Sequence, residues 1–300
     1  MNSVWEKAVI YHFKNKDYNM IPKIVHYCWF GRGDMPPVVK WCMKSWKKYL
    51  PDYTFKLWNE DNFDVNSVEF VREAYLKKKY AFVADYVRLY ALYNEGGVYL
   101  DSDEKVLRPL DEFLTYDFVA AHEFHPGIFK PYRDKLTADG IVIDSNQKIH
   151  GLGILAAPLF SKPKHPFIKD CLDFYYKHHF LDSNGNAQHY NLVIGWIMSK
   201  QAEKYGYKYT TKELPSQNGF KIFDIHTFVN NALFLNKQTY TIHLSLGSWH
   251  DGKHSLILRL SHKYPILGYY LMTSKCFLRR IKHLFLTQEQ IREIYGDWFT

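Results

Sequence analysis

The apolar positions between residues 81 and 100 change from the spacing of a helix to that of a strand. The helical positions are Phe82, Val83, Tyr86, Leu89, Tyr90 and Tyr93. Gly96 and Gly97 predict the end of this helix, because glycine adopts left-handed backbone geometry without a steric penalty. Residues 98–100 then form a short run typical of a buried strand. This strand would deliver the sequence Asp101-Ser102-Asp103 at its carboxyl end, where sites of open α/β sheets form.

The chain before residue 81 alternates between strand and helix patterns. It predicts a strand over 21–29, an amphipathic helix over 37–49, a strand over 54–58 and a helix over about 67–79. This alternation is typical of an α/β domain with a mostly parallel central sheet flanked by helices. We therefore predict a single domain over residues 1–300, with its core over about 20–250 and a C-terminal helical extension over about 264–300.

The pattern is weaker beyond residue 104. It predicts strands over 117–121, 149–157 and 240–244 and helices within 163–180, 190–200 and 287–299. Residues 124–147 show no periodicity, and a long irregular stretch in a compact domain is usually functional or mobile. We interpret this stretch as a loop on the acceptor side of a site. His122 and Glu123 follow a predicted strand as a polar pair near Asp101 and Asp103, and could contact the donor sugar or form a salt bridge within the loop.

Asp101 and Asp103 are spaced so that both side chains of a continuing strand point to the same side. Two close carboxylates repel each other unless a cation lies between them. Carboxylate oxygens are the ligands that Mg²⁺ and Mn²⁺ prefer, and these ions usually share a phosphate group with the protein. The pair therefore predicts a divalent-metal site for a phosphorylated ligand, and the alternative is a solvated turn.

Asp85 and Arg88 lie three residues apart and share one face of the predicted helix. The rest of that face is apolar, so the pair would be a buried ion pair, which seldom serves stability alone. The combination of this pair with the aspartates of residues 101–103 favours a functional site over a turn.

The chain resembles the sugar transferases of glycosyltransferase family 32, which contain a DXD motif, and more distantly the sugar-transferring domains of large clostridial toxins. The matching stretches are IPKIVHYCWFG, SWKKYLPDYTFKLWNEDNFD, KKYAFVADYVRLYALYNEGGVYLDSD and TIHLSLGSW. The resemblance covers about residues 20–250. It implies the GT-A fold, a nucleotide-binding α/β sandwich, and transfer with retention of the anomeric configuration.

The resemblance also implies a metal site of three side chains. Asp101 and Asp103 would hold Mn²⁺ or Mg²⁺ against the diphosphate of a nucleotide sugar, and His243 would complete the set. Neutral imidazole is a suitable ligand for Mn²⁺ and a poorer one for Mg²⁺. The alternative for His243 is a structural histidine.

Further residues would bind the nucleotide sugar in such a relative. The candidates are Trp29 near the base, Tyr99, Asp85 and Arg88 at the donor sugar, and Ser248 and Trp249 facing the phosphates. An indole is a suitable surface for stacking on a nucleobase, although Trp29 could equally be a core residue. Many relatives carry a later GP-x-x-T-like signature, and this chain has GNAQHYNL instead, so those contacts are not transferred.

Composition restricts the partners and the compartment. The formal net charge of +8 favours an anionic partner such as nucleotide phosphates or anionic lipid, and no nucleic-acid-binding module is recognisable. The basic segment 264–285 could lie peripherally on a membrane surface or be an ordinary packed helix. Widely spaced cysteines without a C-x-x-C pair, and charges throughout residues 1–20, favour a cytoplasmic protein. A peripheral position at the inner face of the membrane is compatible with this expectation.

We predict a metal-dependent retaining glycosyltransferase. It would move a hexose or N-acetylhexosamine from a nucleotide-diphosphate sugar, with UDP-linked donors favoured, to a glycan or lipid-linked glycan in bacterial capsular or surface polysaccharide synthesis. The first alternative is a D-x-D phosphohydrolase with Asp101 as nucleophile and Asp103 as acid–base, although Lys105 replaces the usual Thr or Val. The second alternative is a non-catalytic carbohydrate-binding protein, which leaves the charged set unexplained.

Overall fold

The computed structural model describes residues 20–188, 192–244, 263–287 and 289–290. Its strands are β1 (Ile24–Cys28), β2 (Thr54–Trp58), β3 (Gly97–Tyr99), β4 (Glu104–Val106), β5 (Phe118–Phe124), β6 (Leu152–Ile154), β7 (Leu159–Ser161), β8 (Phe220–Phe223), β9 (Phe228–Val229) and β10 (Thr241–His243). Its helices are α1 (Pro37–Tyr49), α2 (Glu69–Leu76), α3 (Tyr80–Glu95), α4 (Pro126–Phe129), α5 (Pro166–Lys177), α6 (Ile194–Ala202) and α7 (Pro265–Leu284).

The large sheet has the strand order β2-β1-β3-β7-β5-β6, and β8 pairs with β5. The prediction of an α/β domain with a central sheet flanked by helices is confirmed. The prediction that this sheet is mostly parallel is wrong. β1 runs parallel to β2 and β3, and β8 runs parallel to β5, but β7 is antiparallel to β3 and to β5, and β6 is antiparallel to β5.

The mixed direction has a local cause. β6 and β7 are two pieces of one chain segment that runs antiparallel to β5, with a break at residues 155–158. The segment between β5 and β6 contains short helical turns. A parallel return to the sheet usually uses a longer crossover helix.

Neighbouring residues of the central strands point to opposite faces of the large sheet, and each face covers its own apolar core. One core contains Val25, Val98, Val119 and Phe160. The other contains Cys28, Tyr99, Phe118 and Leu159, together with residues of α3, α5 and α6. Strand β3 is therefore buried on both sides and holds the following turn in a fixed position.

A small sheet of order β4-β10-β9 starts directly after that turn. β10 is antiparallel to β4 and parallel to β9. The chain thus leaves the large sheet at Tyr99 and enters the small sheet at Glu104, and residues 100–103 connect the two.

The glycine pair at the start of β3 is held in place by a hydrogen bond from a buried histidine. Gly96 and Gly97 have φ angles of +66° and +108°. Trp58 Nε1 donates to His26 Nδ1 at 3.1 Å, so the opposite nitrogen of His26 carries the proton and donates to the Gly96 carbonyl at 2.8 Å. Burial lowers the pKa of His26, which keeps the ring neutral and this arrangement intact.

Helix α7 matches the predicted C-terminal helical extension, and the helix predicted over 287–299 lies largely outside the described residues. None of the helices in the described parts of the chain is long and apolar enough to span a bilayer. The single-domain prediction stays a prediction.

The substitution Gly97→Ala should destabilise the protein. An added Cβ would lie 2.6 Å from the Ile24 carbonyl oxygen, and left-handed geometry together with this overlap should cost ~3 kcal/mol in urea denaturation. Gly33→Ala is the control, because nothing lies within 4 Å of a Cβ there. An unchanged stability for Gly97→Ala would contradict the argument.

Candidate active site

Asp101 and Asp103 lie in the turn that joins β3 to β4. The Glu104 amide donates to the Asp101 carbonyl at 2.9 Å, which closes the turn. The expectation that both aspartates point the same way along a continuing strand is wrong, because the strand stops at Tyr99. They are still brought to one place, because a third side chain contacts both.

That third side chain is His243, at the end of β10. Its Nε2 lies 3.0 Å from Asp103 Oδ1 and 3.9 Å from Asp101 Oδ2. Antiparallel pairing sets His243 opposite Glu104 in β4, so the register of the small sheet fixes the imidazole beside the turn. The structure thus brings together the three side chains predicted to form the metal site.

The imidazole is strongly influenced by these acids. Burial alone would lower the pKa of His243, but the Asp103, Asp101 and Glu104 carboxyl groups raise it to about 10. A protonated His243 is therefore the positive charge that this acidic group needs. A divalent cation would meet the same need and leave the imidazole neutral as a ligand, so two carboxylates and one imidazole fit Mn²⁺ or Mg²⁺.

Four side chains from α3, β3 and the turn form a connected polar chain. Arg88 lies 2.8 Å from Asp85 Oδ1 and 3.3 Å from Asp101 Oδ1. Tyr99 donates its hydroxyl hydrogen to the same Asp101 oxygen at 3.0 Å, and the guanidinium lies over its ring at 4.6 Å. Arg88 also donates to the Ala156 carbonyl at 2.9 Å. The predicted donor-site residues Asp85, Arg88 and Tyr99 therefore lie together next to Asp101.

Burial governs the protonation of this chain. It raises the pKa of Asp85 to about 7, although Arg88 opposes the shift. Burial would lower the pKa of Arg88, but the charges of Asp101, Tyr99 and Asp85 raise it above its usual range. The pair is thus a permanent cation beside a carboxyl group that can either accept or donate a hydrogen bond near neutral pH.

Trp29 lies in the loop after β1, as predicted, and is partly buried. Its indole nitrogen donates to the Gly33 carbonyl at 2.6 Å, which shapes the loop. Its contact with a base stays a prediction. Ser248 and Trp249 lie outside the described residues.

Glu104 is a site residue that sequence reasoning missed. It is fully buried, and its carboxyl oxygens make no hydrogen bond of ordinary length with any described residue. Burial raises its pKa to about 8. A neutral carboxylic acid behind the turn avoids a third negative charge there. The only sequence signal was an acidic residue at an inward position of a short strand.

A second polar group surrounds Glu123, near the end of β5, and includes His125 and Asn230, which sequence reasoning missed. Its Oε1 lies 3.1 Å from His125 Nε2 and accepts from Asn230 at 2.8 Å. His122, proposed beside it as a polar pair, instead points into the interior toward the Tyr207 hydroxyl at 3.2 Å. Successive side chains of a strand point to opposite faces, so β5 directs His122 and Glu123 to different sides. The two residues therefore do not act as the polar pair that the sequence suggested.

Residues 36–119 match the family described as glycosyltransferase sugar-binding region containing DXD motif. This match includes α1 to β4 and therefore the turn with Asp101 and Asp103. This part of the chain is similar to sugar-binding regions that contain a DXD motif. The resemblance stated from the sequence is confirmed here.

Curated relatives of this sugar-binding region are fungal. Inositol phosphoceramide mannosyltransferase 3 of Schizosaccharomyces pombe is 34% identical over 100 residues, which cover 32% of this chain and 28% of the relative. Mannosyl phosphorylinositol ceramide synthase SUR1 of Saccharomyces cerevisiae is 31% identical over 105 residues, with 32% and 26% covered. The chain thus matches less than a third of the length of these relatives.

Two solved structures are similar over longer stretches. PaToxG glycosyltransferase aligns with 66% of this chain and 78% of its own, at 16% identity and a TM-score of 0.44. A glycosyltransferase involved in glycosylation of the major capsid of PBCV-1 aligns with 76% and 96%, at 12% identity and a TM-score of 0.36.

In metal-free protein, His243 should titrate far above its ordinary value of 6.5, near 10. Its contribution to stability is fully present below 6.5 and is lost as the pH rises through 10, because the native state holds the proton more tightly. Imidazole NMR titration measures the pKa directly. Asp103→Asn should lower it, and a wild-type value near 6.5 would contradict the assignment.

Proposed function

We propose that this chain is a metal-dependent glycosyltransferase that uses a nucleotide-diphosphate sugar. The observation that carries the proposal is the meeting of Asp101, Asp103 and His243 beside the buried Asp85–Arg88 pair, within a region that matches DXD sugar-binding regions. A divalent cation bound there would neutralise the negative charge that develops on the leaving nucleotide diphosphate.

The remaining residues would bind and orient the donor. Asp85 would exchange hydrogen bonds with donor-sugar hydroxyls, and Arg88 would hold Asp85 and Asp101 in place while offering its charge to the sugar phosphate. Tyr99 would fix the rotamer of Asp101. Trp29 would contact the base, and Ser248 and Trp249 the phosphates. We propose retention of configuration, as in the family that the chain resembles.

The proposal also covers the identities of the donor and the acceptor. UDP-linked hexoses and N-acetylhexosamines remain our first choice, and GDP-mannose is the second, because the relatives are named as mannosyltransferases. The names of these relatives include an inositol-containing ceramide lipid, which supports a lipid-linked glycan over a free one. Synthesis of a bacterial capsular or surface polysaccharide at the inner face of the membrane is the setting that we propose.

The phosphohydrolase alternative is less well supported. A nucleophilic Asp101 needs a free oxygen facing a phosphate, but its Oδ1 accepts from Tyr99 and faces Arg88. Lys105 stands where the phosphohydrolase motif usually has Thr or Val. Its ammonium group lies 4.0 Å from the centre of the Trp41 ring, on the side of α1. Phosphate release from a simple phosphomonoester would favour this alternative.

Asp101→Asn and Asp103→Asn should each reduce sugar transfer by at least ~1,000-fold, because either change removes a charged metal ligand. A thermal-shift panel of UDP-sugars and GDP-mannose, with Mn²⁺ or with chelator, first identifies the donor by its stabilisation of the folded state. Asp173→Asn is the matched control, because Asp173 forms an ion pair with Lys169 on the surface of α5, within one helix. Near-normal transfer by either DXD variant would refute the proposal.

The outward side of α7 supports the membrane part of the proposal. Tyr269, Met272 and Cys276 pack against the protein core. Large apolar side chains on the opposite side are exposed, from 37% for Ile281 to 83% for Phe285. The others are Ile266, Leu267, Tyr270, Leu271 and Leu278.

The sequence of this helix identifies the partner that we propose. Residues 263–285 contain Lys263, Lys275, Arg279, Arg280 and Lys282 and no Asp or Glu. An anionic lipid surface offers both an apolar interior and negative charge, so it complements an apolar helix side within a purely basic segment. A protein surface that is only acidic or only apolar would match one of these two properties. We therefore propose that α7 lies on an anionic membrane near the acceptor.

The double variant Leu278→Ser/Ile281→Ser should weaken binding of the full chain to vesicles with about one third phosphatidylserine by at least ~10-fold in co-sedimentation. Binding should also fall at about 0.5 M salt and be weak on phosphatidylcholine alone. Ile143→Ser is the control, because Ile143 is equally exposed at 65% on another surface. Unchanged vesicle binding, or loss of a dimer instead, would contradict membrane docking.

A further inference from the structure

The group around Glu123 is built from three separate parts of the chain. Glu123 is the last but one residue of β5, His125 follows that strand, and Asn230 lies just beyond β9. Asn230 Nδ2 is 2.8 Å from Glu123 Oε1 and 3.0 Å from His125 Nε2. Three polar side chains thus meet around one carboxylate oxygen.

The register of the small sheet places this group beside the DXD turn. β9 runs parallel to β10, with Val229 opposite Ile242. The next residues of the two strands are Asn230 and His243, so these occupy neighbouring positions at the same end of the sheet. The His243 imidazole is also close enough to act electrostatically on both Glu123 and His125.

One oxygen of Glu123 remains available. Oε1 is held by His125 and Asn230, whereas Oε2 makes no hydrogen bond with a described residue. A Cβ on Gly195, in the first turn of α6, would lie 3.1 Å from Oε2, so a larger residue there would crowd this oxygen. The Glu123 side chain is 28% exposed and is therefore accessible to a ligand.

The charge of this carboxylate decides what it can bind. Burial would raise the pKa of Glu123, but the hydrogen bond and charge of His125, with a further hydrogen bond from Asn230, contribute to holding it below its ordinary value. An ionised carboxylate accepts hydrogen bonds and repels phosphate. Its partner is therefore a neutral hydroxyl group and not the diphosphate of the donor.

We propose that Glu123 binds the sugar acceptor, with its free Oε2 accepting a hydrogen bond from an acceptor hydroxyl while His125 and Asn230 hold the carboxylate in place. This inference rests on the proposed function. The donor sugar would lie against Asp85 and Arg88, which reach Asp101 from α3. Glu123 on β5 and Asn230 after β9 lie near His243, and so flank the same metal site from different elements.

The test separates donor chemistry from acceptor binding in the full chain with Mn²⁺. Release of nucleotide diphosphate without an acceptor, measured with UDP-sugars and GDP-mannose, reports donor binding and activation. The methyl glycosides of galactose, glucose and mannose then serve as acceptors, and transfer to them is measured against glycoside concentration. At least one should give saturable transfer by the wild-type protein.

Glu123→Gln should raise KM for that glycoside by about tenfold or more, because the glycoside hydroxyl loses its hydrogen bond to a charged carboxylate oxygen. Acceptor-free release and KM for the donor should stay near wild type. Asn230→Ala should raise the acceptor KM less. Glu203→Gln is the matched control: this part-buried carboxylate bonds Lys200 and Tyr209 at the far end of α6. Melting temperatures of all variants check the fold.

Each other result overturns a defined part of the argument. If Glu123→Gln changes donor KM or acceptor-free release as strongly as acceptor KM, Glu123 belongs to the donor site. If acceptor KM is unchanged, or if no glycoside supports transfer while the donor is still cleaved, acceptor binding by Glu123 is wrong. If no nucleotide sugar is cleaved at all, the proposed function fails, and the inference with it.

Discussion

The arrangement of this site depends on how a cluster of acidic groups is kept from repelling itself. Asp85, Asp101, Asp103 and Glu104 approach one another where the two sheets meet. Arg88 supplies one fixed positive charge between Asp85 and Asp101, and His243 supplies a second that depends on protonation. Glu104 avoids its charge through burial. The charge of Arg88 is fixed, whereas the proton on His243 can be exchanged for another cation. A metal ion bound between these acids would supply the positive charge that the protonated imidazole supplies without it.

The same balance explains why the site lies between the sheets. A carboxylate in the interior of either sheet would meet only apolar side chains and would be neutralised. At the turn, β3 supplies a rigid base buried on both faces, and the small sheet supplies His243 through its hydrogen-bond register. Removal of either sheet would separate the acids from their cations. Breaking a buried ion pair of this kind usually costs about 3–5 kcal/mol.

Much of the first half of the fold follows from the sequence. Helix α1 and strand β2 begin and end where the pattern predicts, because proline starts the helix and short β-prone runs bound the strand. The mixed sheet could not be predicted, because the direction of β7 depends on how a long irregular segment returns. Local pattern indicated Asp85, Arg88, Asp101 and Asp103. His243 was found only through resemblance, since 140 residues separate it from Asp103. Glu123 and Asn230 were not linked for the same reason, being 107 residues apart.

The break between β6 and β7 has a consequence for how this pocket can vary. Within the break, the Ala156 carbonyl is free of the sheet ladder and becomes the third anchor of the Arg88 guanidinium. Because this anchor is a main-chain atom, a different side chain at position 156 leaves it in place. The side chain at position 156 can therefore change while the guanidinium keeps its main-chain anchor, so the charged framework tolerates variation there.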